Sequence, residues 1–394
     1  MSRWEKMTAM NRRDFLKLGL AGTTSGVLAG SVLADAVQVY AQERPVPPGF
    51  PAPVYRTLGR TGLKVSVVGF GAMLTPEPEV IRVAFENGIN YVNTSRKYMS
   101  GKNEEIVGRA LQGWRSKVVV ATKIETELNS KEAIIRDVEA SLKALKTDHI
   151  DVLQLDANAD PGRIFRAEPR EAFDRLRQQG KVRFFGAAVH KNPVAVVNAL
   201  ADDKTRFFDT LLVAYNFKSG GELTSAIARA AKAGLGVIAM KTQVGGYASS
   251  GTGAPSPHQA ALKWVLQNPD IALAIPGMKD LTELRQDAAV MGMPLLAQDR
   301  DALSRYGAAV QPYYCQLCGA CEGSCPQGVE ISMVNRSLMY AEGYRSPELA
   351  LATYRETPGG AGAAACLDCS GCVARCVRGL DISAKMERAR QLLG

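Results

Sequence analysis

Short apolar runs alternate with amphipathic stretches along most of this chain. The candidate strands are 66–72 (SVVGFGA), 90–93 (NYVN), 117–123 (KVVVATK), 150–156 (IDVLQLD), 182–189 (VRFFGAAV), 208–216 (FDTLLVAYN), 235–241 (LGVIAMK) and 271–277 (IALAIPG). Between them, apolar positions recur at helical spacing over 77–87, 103–112, 131–145, 168–179, 222–233, 258–267 and 280–290. Strands that read as nearly continuous apolar runs are parallel strands covered on both faces. Eight such units over roughly 240 residues predict a closed (β/α)8 barrel rather than an open doubly wound sheet. No GxGxxG opens a helix after the first strand, which counts further against a dinucleotide-binding open sheet. A helical connector near 297–308 follows, and beyond it the composition shifts to Cys, Gly and Ala.

The N-terminus breaks the pattern. Arg12 and Arg13, followed by Phe15, Leu16 and Lys17, match a twin-arginine export signal, and a weakly apolar, Gly-rich run covers 16–34. Small residues at Ala34-Asp35-Ala36 and Val39-Tyr40-Ala41 offer cleavage sites. Gly22, Thr23, Ser25 and Gly30 interrupt the run, which favours a cleaved leader over a permanent span. The predicted layout is a signal peptide over 1–41, a Pro-rich linker over 42–54, a barrel over 55–310 and a small domain over 311–394. The leader predicts a periplasmic or otherwise extracytoplasmic protein, and a route that carries folded chains predicts a cofactor loaded before export. Net charge is +9, and +7 without the leader's five basic and three acidic residues. These charges are interleaved, which argues against a nucleic-acid tract.

All eight cysteines lie between 315 and 376. Disulfides would be the default for an exported chain. The spacing says otherwise: Cys315-x2-Cys318-x2-Cys321-x3-Cys325-Pro326 is repeated as Cys366-x2-Cys369-x2-Cys372-x3-Cys376, with Val377 in place of the proline. This is the bacterial ferredoxin spacing, in which the fourth cysteine of each run ligates the other cluster. The expected sets are therefore Cys315, Cys318, Cys321 and Cys376 for one [4Fe-4S] cluster, and Cys366, Cys369, Cys372 and Cys325 for a second. Neither structural zinc nor disulfides need the full run twice.

The segments 56–73, 88–111, 118–123, 147–156, 180–190 and 274–289 together resemble the aldo-keto reductases, and the cysteine runs with MYAEGY (339–344) between them resemble a branch with a C-terminal ferredoxin-like extension. The resemblance implies a TIM barrel with its active site at the C-terminal ends of the strands. It also implies a tyrosine acid tuned by a lysine and an aspartate, with a histidine orienting the carbonyl. Tyr98 and Lys123 match the first two, whereas Asn93 and Asp156 stand at the aspartate and histidine positions. Asp156 is expected to pair with Lys123, with Tyr98 in hydrogen-bonding reach, and the carbonyl-steering imidazole to be lost. His190 ends the fifth strand as a lone histidine without an evident partner set. Arg96 and Lys241 near the mouth point to an anionic ligand, although solvated loop charges explain them equally.

The positions that the resemblance assigns to the nicotinamide coenzyme are altered. Ala188, Val189 and Leu212 replace polar residues, Met240 stands in place of a stacking aromatic, and Glu283, Gln286 and Asp287 occupy the adenosine-phosphate region. NAD(P)H binding is not expected. The leading expectation is an exported iron–sulfur oxidoreductase passing single electrons through two clusters between a redox partner protein and the barrel. An electron-transfer or scaffold protein with a silent barrel is the alternative, followed by an NADPH-dependent carbonyl reductase.

Overall fold

The computed structural model describes residues 50–125, 130–157, 162, 165–247 and 256–394. The predicted leader and most of the linker lie outside the described residues. The described residues fall within one compact unit, Val46–Gly394.

A hairpin, β1 (Tyr55–Thr57) and β2 (Lys64–Ser66), precedes eight parallel strands. These are β3 (Phe70–Gly71), β4 (Tyr91–Asn93), β5 (Val119–Glu125), β6 (Ile150–Ala157), β7 (Val182–Val189), β8 (Thr210–Ala214), β9 (Gly236–Met240) and β10 (Leu273–Ala274), paired in sequential order. Bridges Val68–Ala274 and Gly71–Gly277 join the first and last strands and close the ring. The predicted 66–72 and 271–277 strands shorten to two residues each because only Phe70–Gly71 and Leu273–Ala274 pair regularly, the contacts between the two runs being isolated bridges.

Helices between the strands are α1 (Pro78–Glu86), α2 (Asn103–Ala110), α3 (Lys131–Leu145), α4 (Ala167–Gln178), α5 (Pro193–Asp202), α6 (Gly221–Lys232) and α7 (Pro257–Leu266), and α8 (Leu281–Ala288) follows β10. Their apolar faces pack on the outside of the ring. Phe173 of α4 stacks on Phe185 of β7 with ring centroids 4.3 Å apart. The lumen is filled separately by Tyr91, Ala121, Val152, Ala188, Leu212, Ile238 and Leu273. The hairpin plugs the N-terminal end: Leu58 packs against Gly236, where any Cβ would meet the Leu58 side chain and backbone. That leaves the opposite end for chemistry.

After α9 (Ala297–Val310) come the cysteine loops and three helices, α10 (Ile331–Glu342), α11 (Pro347–Arg355) and α12 (Ile382–Leu393). These share one apolar core with the barrel's upper loops, since Val244 and Tyr247 pack with Tyr314, Val334, Leu338 and Met339. Helix α10 lies between the two cysteine runs and is buried along its length from Ile331 to Tyr340. Gly343 at its end tolerates no side chain, because a Cβ there would collide with the Gly245 carbonyl. No helix among the described residues is long and apolar enough to cross a membrane.

Candidate active site and cysteine centres

Parallel register pairs Lys123 with Gln154 and sets Asn93 opposite Ala121, two residues before Lys123, so that the long Lys123 and Gln154 side chains reach Asn93. Asn93 ends β4, Lys123 lies near the end of β5, and Gln154 of β6 is its ladder partner. The Asn93 amide donates to Gln154 Oε1 at 2.9 Å, and its Oδ1 accepts from Lys123 Nζ at 2.5 Å. The same ammonium donates to the Thr94 carbonyl (3.0 Å) and to the Tyr98 hydroxyl (3.2 Å). Tyr98 sits just beyond β4 on a tight turn whose next residues, Met99 and Ser100, take left-handed backbone angles.

The expected Asp156–Lys123 pairing is not formed. Three acceptors already use the three donors of the ammonium, so Asp156 acts on it only through its charge. Asp156 instead lies 3.5 Å from His190 Nε2. His190 follows the last residue of β7, and its Nδ1 faces Lys241 Nζ at 3.2 Å. With the lysine donating to Nδ1, the ring proton is assigned to Nε2, toward Asp156. A neutral imidazole thus reaches the site from the end of β7, the next strand, while position 156 itself carries the expected carboxylate. Arg96 does not face the mouth: it is held by Asp137 at 2.6 Å and Glu104 at 3.4 Å.

Two further residues come from outside the barrel. On α10, Arg336 Nε donates to the Tyr340 hydroxyl at 3.0 Å, and the Lys241 ammonium lies 5.9 Å from the centre of the Tyr340 ring. Arg336 and Tyr340 are four residues apart and so share one helix face, and Arg336 is the one charged residue between Ile331 and Tyr340. That i,i+4 pair was the readable signal, yet the sequence did not show where α10 would dock.

Burial and charge set the proton affinities here. Lys123 is only 4% exposed, and desolvation brings its ammonium down to about 7, against the pull of Asp156. Burial, then the nearby Tyr340 and Asp156, pushes the Tyr98 hydroxyl well above its ordinary value. Burial also raises Tyr340, but Arg336 and Lys241 outweigh it and leave that phenol below its ordinary value. His190 is pushed well down, first by burial and then by Arg336, Lys241 and Lys123, and stays neutral. Asp156 is raised by burial, against the surrounding cations.

The cysteines form two groups. Cys315, Cys318, Cys321 and Cys376 line one cavity together with Ser332 and Leu380. Cys366 has Cys325, Cys369 and Cys372 as its thiol neighbours. All eight are free thiols, so the disulfide reading has no counterpart. Backbone N–H groups of Leu317 and Arg378 point at the sulfurs of Cys315 and Cys376, at 3.4 and 3.3 Å. Four thiols converging on one cavity, with amides aimed at the sulfurs, fit a thiolate-ligated iron–sulfur cluster. Burial and mutual repulsion push the Cys315 thiol up to about 12, a cost that cationic iron would offset.

The barrel and the first cysteine loop are tied directly. The Asn192 amide donates to the Leu317 carbonyl at 3.0 Å, and Lys191 bridges Glu322 (2.7 Å) and Glu330 (2.5 Å). Next to Cys315, the Tyr314 hydroxyl accepts from Asn216, whose amide also donates to the Lys241 carbonyl.

A closed parallel barrel with a buried lysine bonded to a half-buried tyrosine at the C-terminal strand ends defines a β/α-barrel oxidoreductase, here joined to a cysteine-rich domain. The profile of the aldo/keto reductase family matches residues 77–253, and that of a 4Fe-4S dicluster domain matches residues 314–380. The chain is 30% identical over 296 residues to the uncharacterized oxidoreductase YrpG of Bacillus subtilis, covering 59% of this chain and 89% of that protein. It is 38% identical over 146 residues to the uncharacterized oxidoreductase YqkF of the same organism, a match of 33% of this chain to about half (47%) of YqkF. The structure is similar to that of an aldo-keto reductase from Klebsiella pneumoniae in complex with NADPH, with a TM-score of 0.55, 25% identity, and coverage of 64% and 95% of the two chains. The chain belongs to the aldo/keto reductase family and carries a C-terminal 4Fe-4S dicluster domain.

Proposed function

We propose that this protein is an exported iron–sulfur oxidoreductase whose barrel site works with single electrons rather than with a nicotinamide hydride. One observation carries the reading: the helix between the two cysteine runs delivers Arg336 and Tyr340 into the Tyr98–Lys123 site. Cys315, Cys318, Cys321 and Cys376 would hold one [4Fe-4S] cluster, and Cys366, Cys369, Cys372 and Cys325 the other. When bound, such clusters supply one-electron transfer.

The chain's own residues manage protons and charge. Tyr98, kept protonated by burial, is the proton donor at the reacting centre. Lys123, titrating near neutrality, donates to its oxygen and stabilises the phenolate left behind. Asn93 orients Lys123 without adding charge, and Gln154 orients Asn93. Neutral His190 presents its Nε2–H beside Asp156. Helix α10 brings Arg336 and Tyr340 against these groups, which leaves Tyr98 and Asp156 only partly open to water.

Two observations support operation without NAD(P)H. Ala188, Val189 and Leu212 are buried and offer no side-chain hydrogen bonds, and Glu283 uses its carboxylate to accept the Lys279 amide. Met339 and Tyr344 pack against Gly245 and Gly246. A redox partner protein would dock near the cysteines, where Leu367, Val373 and Val377 stand exposed. Export would follow from Arg12–Arg13 and place the protein in the periplasm.

Anaerobic reconstitution tests the reading. About eight irons per chain and reduced cubane signals by electron paramagnetic resonance are expected; a reconstituted protein without them overturns it. NADPH titration should give no saturable quenching of tryptophan fluorescence, and saturable quenching would restore the carbonyl reductase alternative. Replacing Arg12 and Arg13 by Lys should leave the protein in the cytoplasm, as read by cell fractionation.

A further inference from the structure

The polar atoms at the heart of the site do not all match one another. Arg336 is 8% exposed, and its Nη1 has no hydrogen-bond partner. Asp156 Oδ1 is also buried and unbonded, because His190 Nε2 at 3.5 Å is too far for a sound hydrogen bond. Gln154 Nε2 is a third buried, unpartnered atom in the same cluster. Native proteins rarely leave such groups unsatisfied, and several together in one site mark a place that something else completes.

The charges are unbalanced in one direction. Lys123, Lys241 and Arg336 are buried within electrostatic reach of Asp156 and of one another. Lys97, which also acts on Asp156, is paired with Glu356 at 3.0 Å. Arg336, Lys241 and a Lys123 that titrates near neutrality face the single partly buried carboxylate of Asp156, so the cluster calls for an anion, and a guanidinium offers the planar fork that fits a carboxylate. Asp156 Oδ1 asks for the opposite partner, a donor, which sulfate or a simple carboxylate lacks.

We propose that Arg336 and Asp156 together bind a small 2-hydroxy acid in the barrel site. Arg336 receives the carboxylate, and Asp156 Oδ1 accepts a hydrogen bond from the 2-hydroxyl. Lys241 adds positive charge beside the carboxylate. The assignment names the substrate class for the Tyr98 site and rests on the oxidoreductase reading for its chemistry, although binding is measurable without turnover.

The experiment uses the full chain, anaerobically reconstituted, titrated calorimetrically with lactate, propionate and methyl lactate. Lactate is expected to bind saturably at millimolar concentrations or below. Propionate, without the hydroxyl, and methyl lactate, without the charge, should each bind about 10-fold or more weakly. Arg336→Lys should weaken lactate about 10- to 100-fold. Asp156→Asn should weaken lactate but leave propionate unchanged, a split that a merely structural role for Asp156 would not produce. Iron content and circular dichroism check that both variants are folded and loaded. Absence of saturable lactate binding by the loaded wild type, or lactate binding unchanged in Arg336→Lys, overturns the proposal. In that case intact cluster signals leave the oxidoreductase reading standing. Lactate binding by a protein without cluster signals has the opposite meaning.

Discussion

Asn93→Asp is the sharpest probe of how this site departs from the usual tetrad. Asn93 Oδ1 lies 2.5 Å from Lys123 Nζ and is 3% exposed, so the substitution places a buried negative charge directly on the ammonium. At an effective dielectric of about 20, the gross Coulomb attraction is about 6–7 kcal/mol. Desolvating the new carboxylate costs several kcal/mol of that. The net shift expected is about 1–3 pKa units, or about 1.4–4 kcal/mol, in favour of the charged lysine. Gln154 limits any added penalty, because turning its amide would present the unpartnered Nε2 to the new carboxylate. The Lys123 midpoint should therefore rise from about 7 into roughly the 8–10 range. A 15N-lysine titration followed by NMR reads it directly, with Lys123→Met assigning the signal. Stability carries the same sign. The wild-type lysine titrates lower in the folded than in the unfolded chain, so between these two midpoints the unfolded state binds more protons and unfolding free energy rises with pH. Asn93→Asp should flatten that rise. A midpoint that stays near 7 or falls would refute the electrostatic account of the site.

Other consequences follow from single contacts. Lys191→Met leaves Glu322 and Glu330 without their shared cation and should cost about 2 kcal/mol, less than a fully buried pair because both carboxylates are partly exposed; the urea midpoint measures it. Replacing Cys366, Cys369 and Cys372 together by Ser should expose Cys325 to alkylation in the reconstituted protein while Cys376 stays protected, as read by mass spectrometry. Alkylation of Cys376 instead would mean that each run holds its own cluster. Phe173→Ala removes a fully buried ring stacked on Phe185 and should destabilise the barrel by about 3–5 kcal/mol in thermal unfolding.

Much of the architecture was legible because its causes are local. Parallel strands covered on both faces must be apolar at nearly every position, so the eight runs were visible one by one. The cysteine spacing is local too, since three ligands of a cluster come from one tight loop. Strand ends were less legible: at β3 and β10 the apolar run continues beyond the regular pairing, and nothing in composition marks where a ladder stops.

The site itself depends on distance in sequence closing in space. Tyr98 and Lys123 could be named from their surroundings, but not what Lys123 bonds. That depends on the register that pairs Lys123 with Gln154 and sets Asn93 two residues away across the ladder, and on a count of donors that leaves none for Asp156. His190 looked solitary because its partners, Asp156 and Lys241, come from other strands. Arg336 and Tyr340 were invisible as site residues, because their role exists only once α10 is docked over the barrel. Periodicity and spacing record what each segment must do for itself: bury a face or bind iron. Which side chains meet, and so which proton moves and which charge goes unanswered, was decided by tertiary packing, because hydrogen bonds and charges act through space and not along the chain.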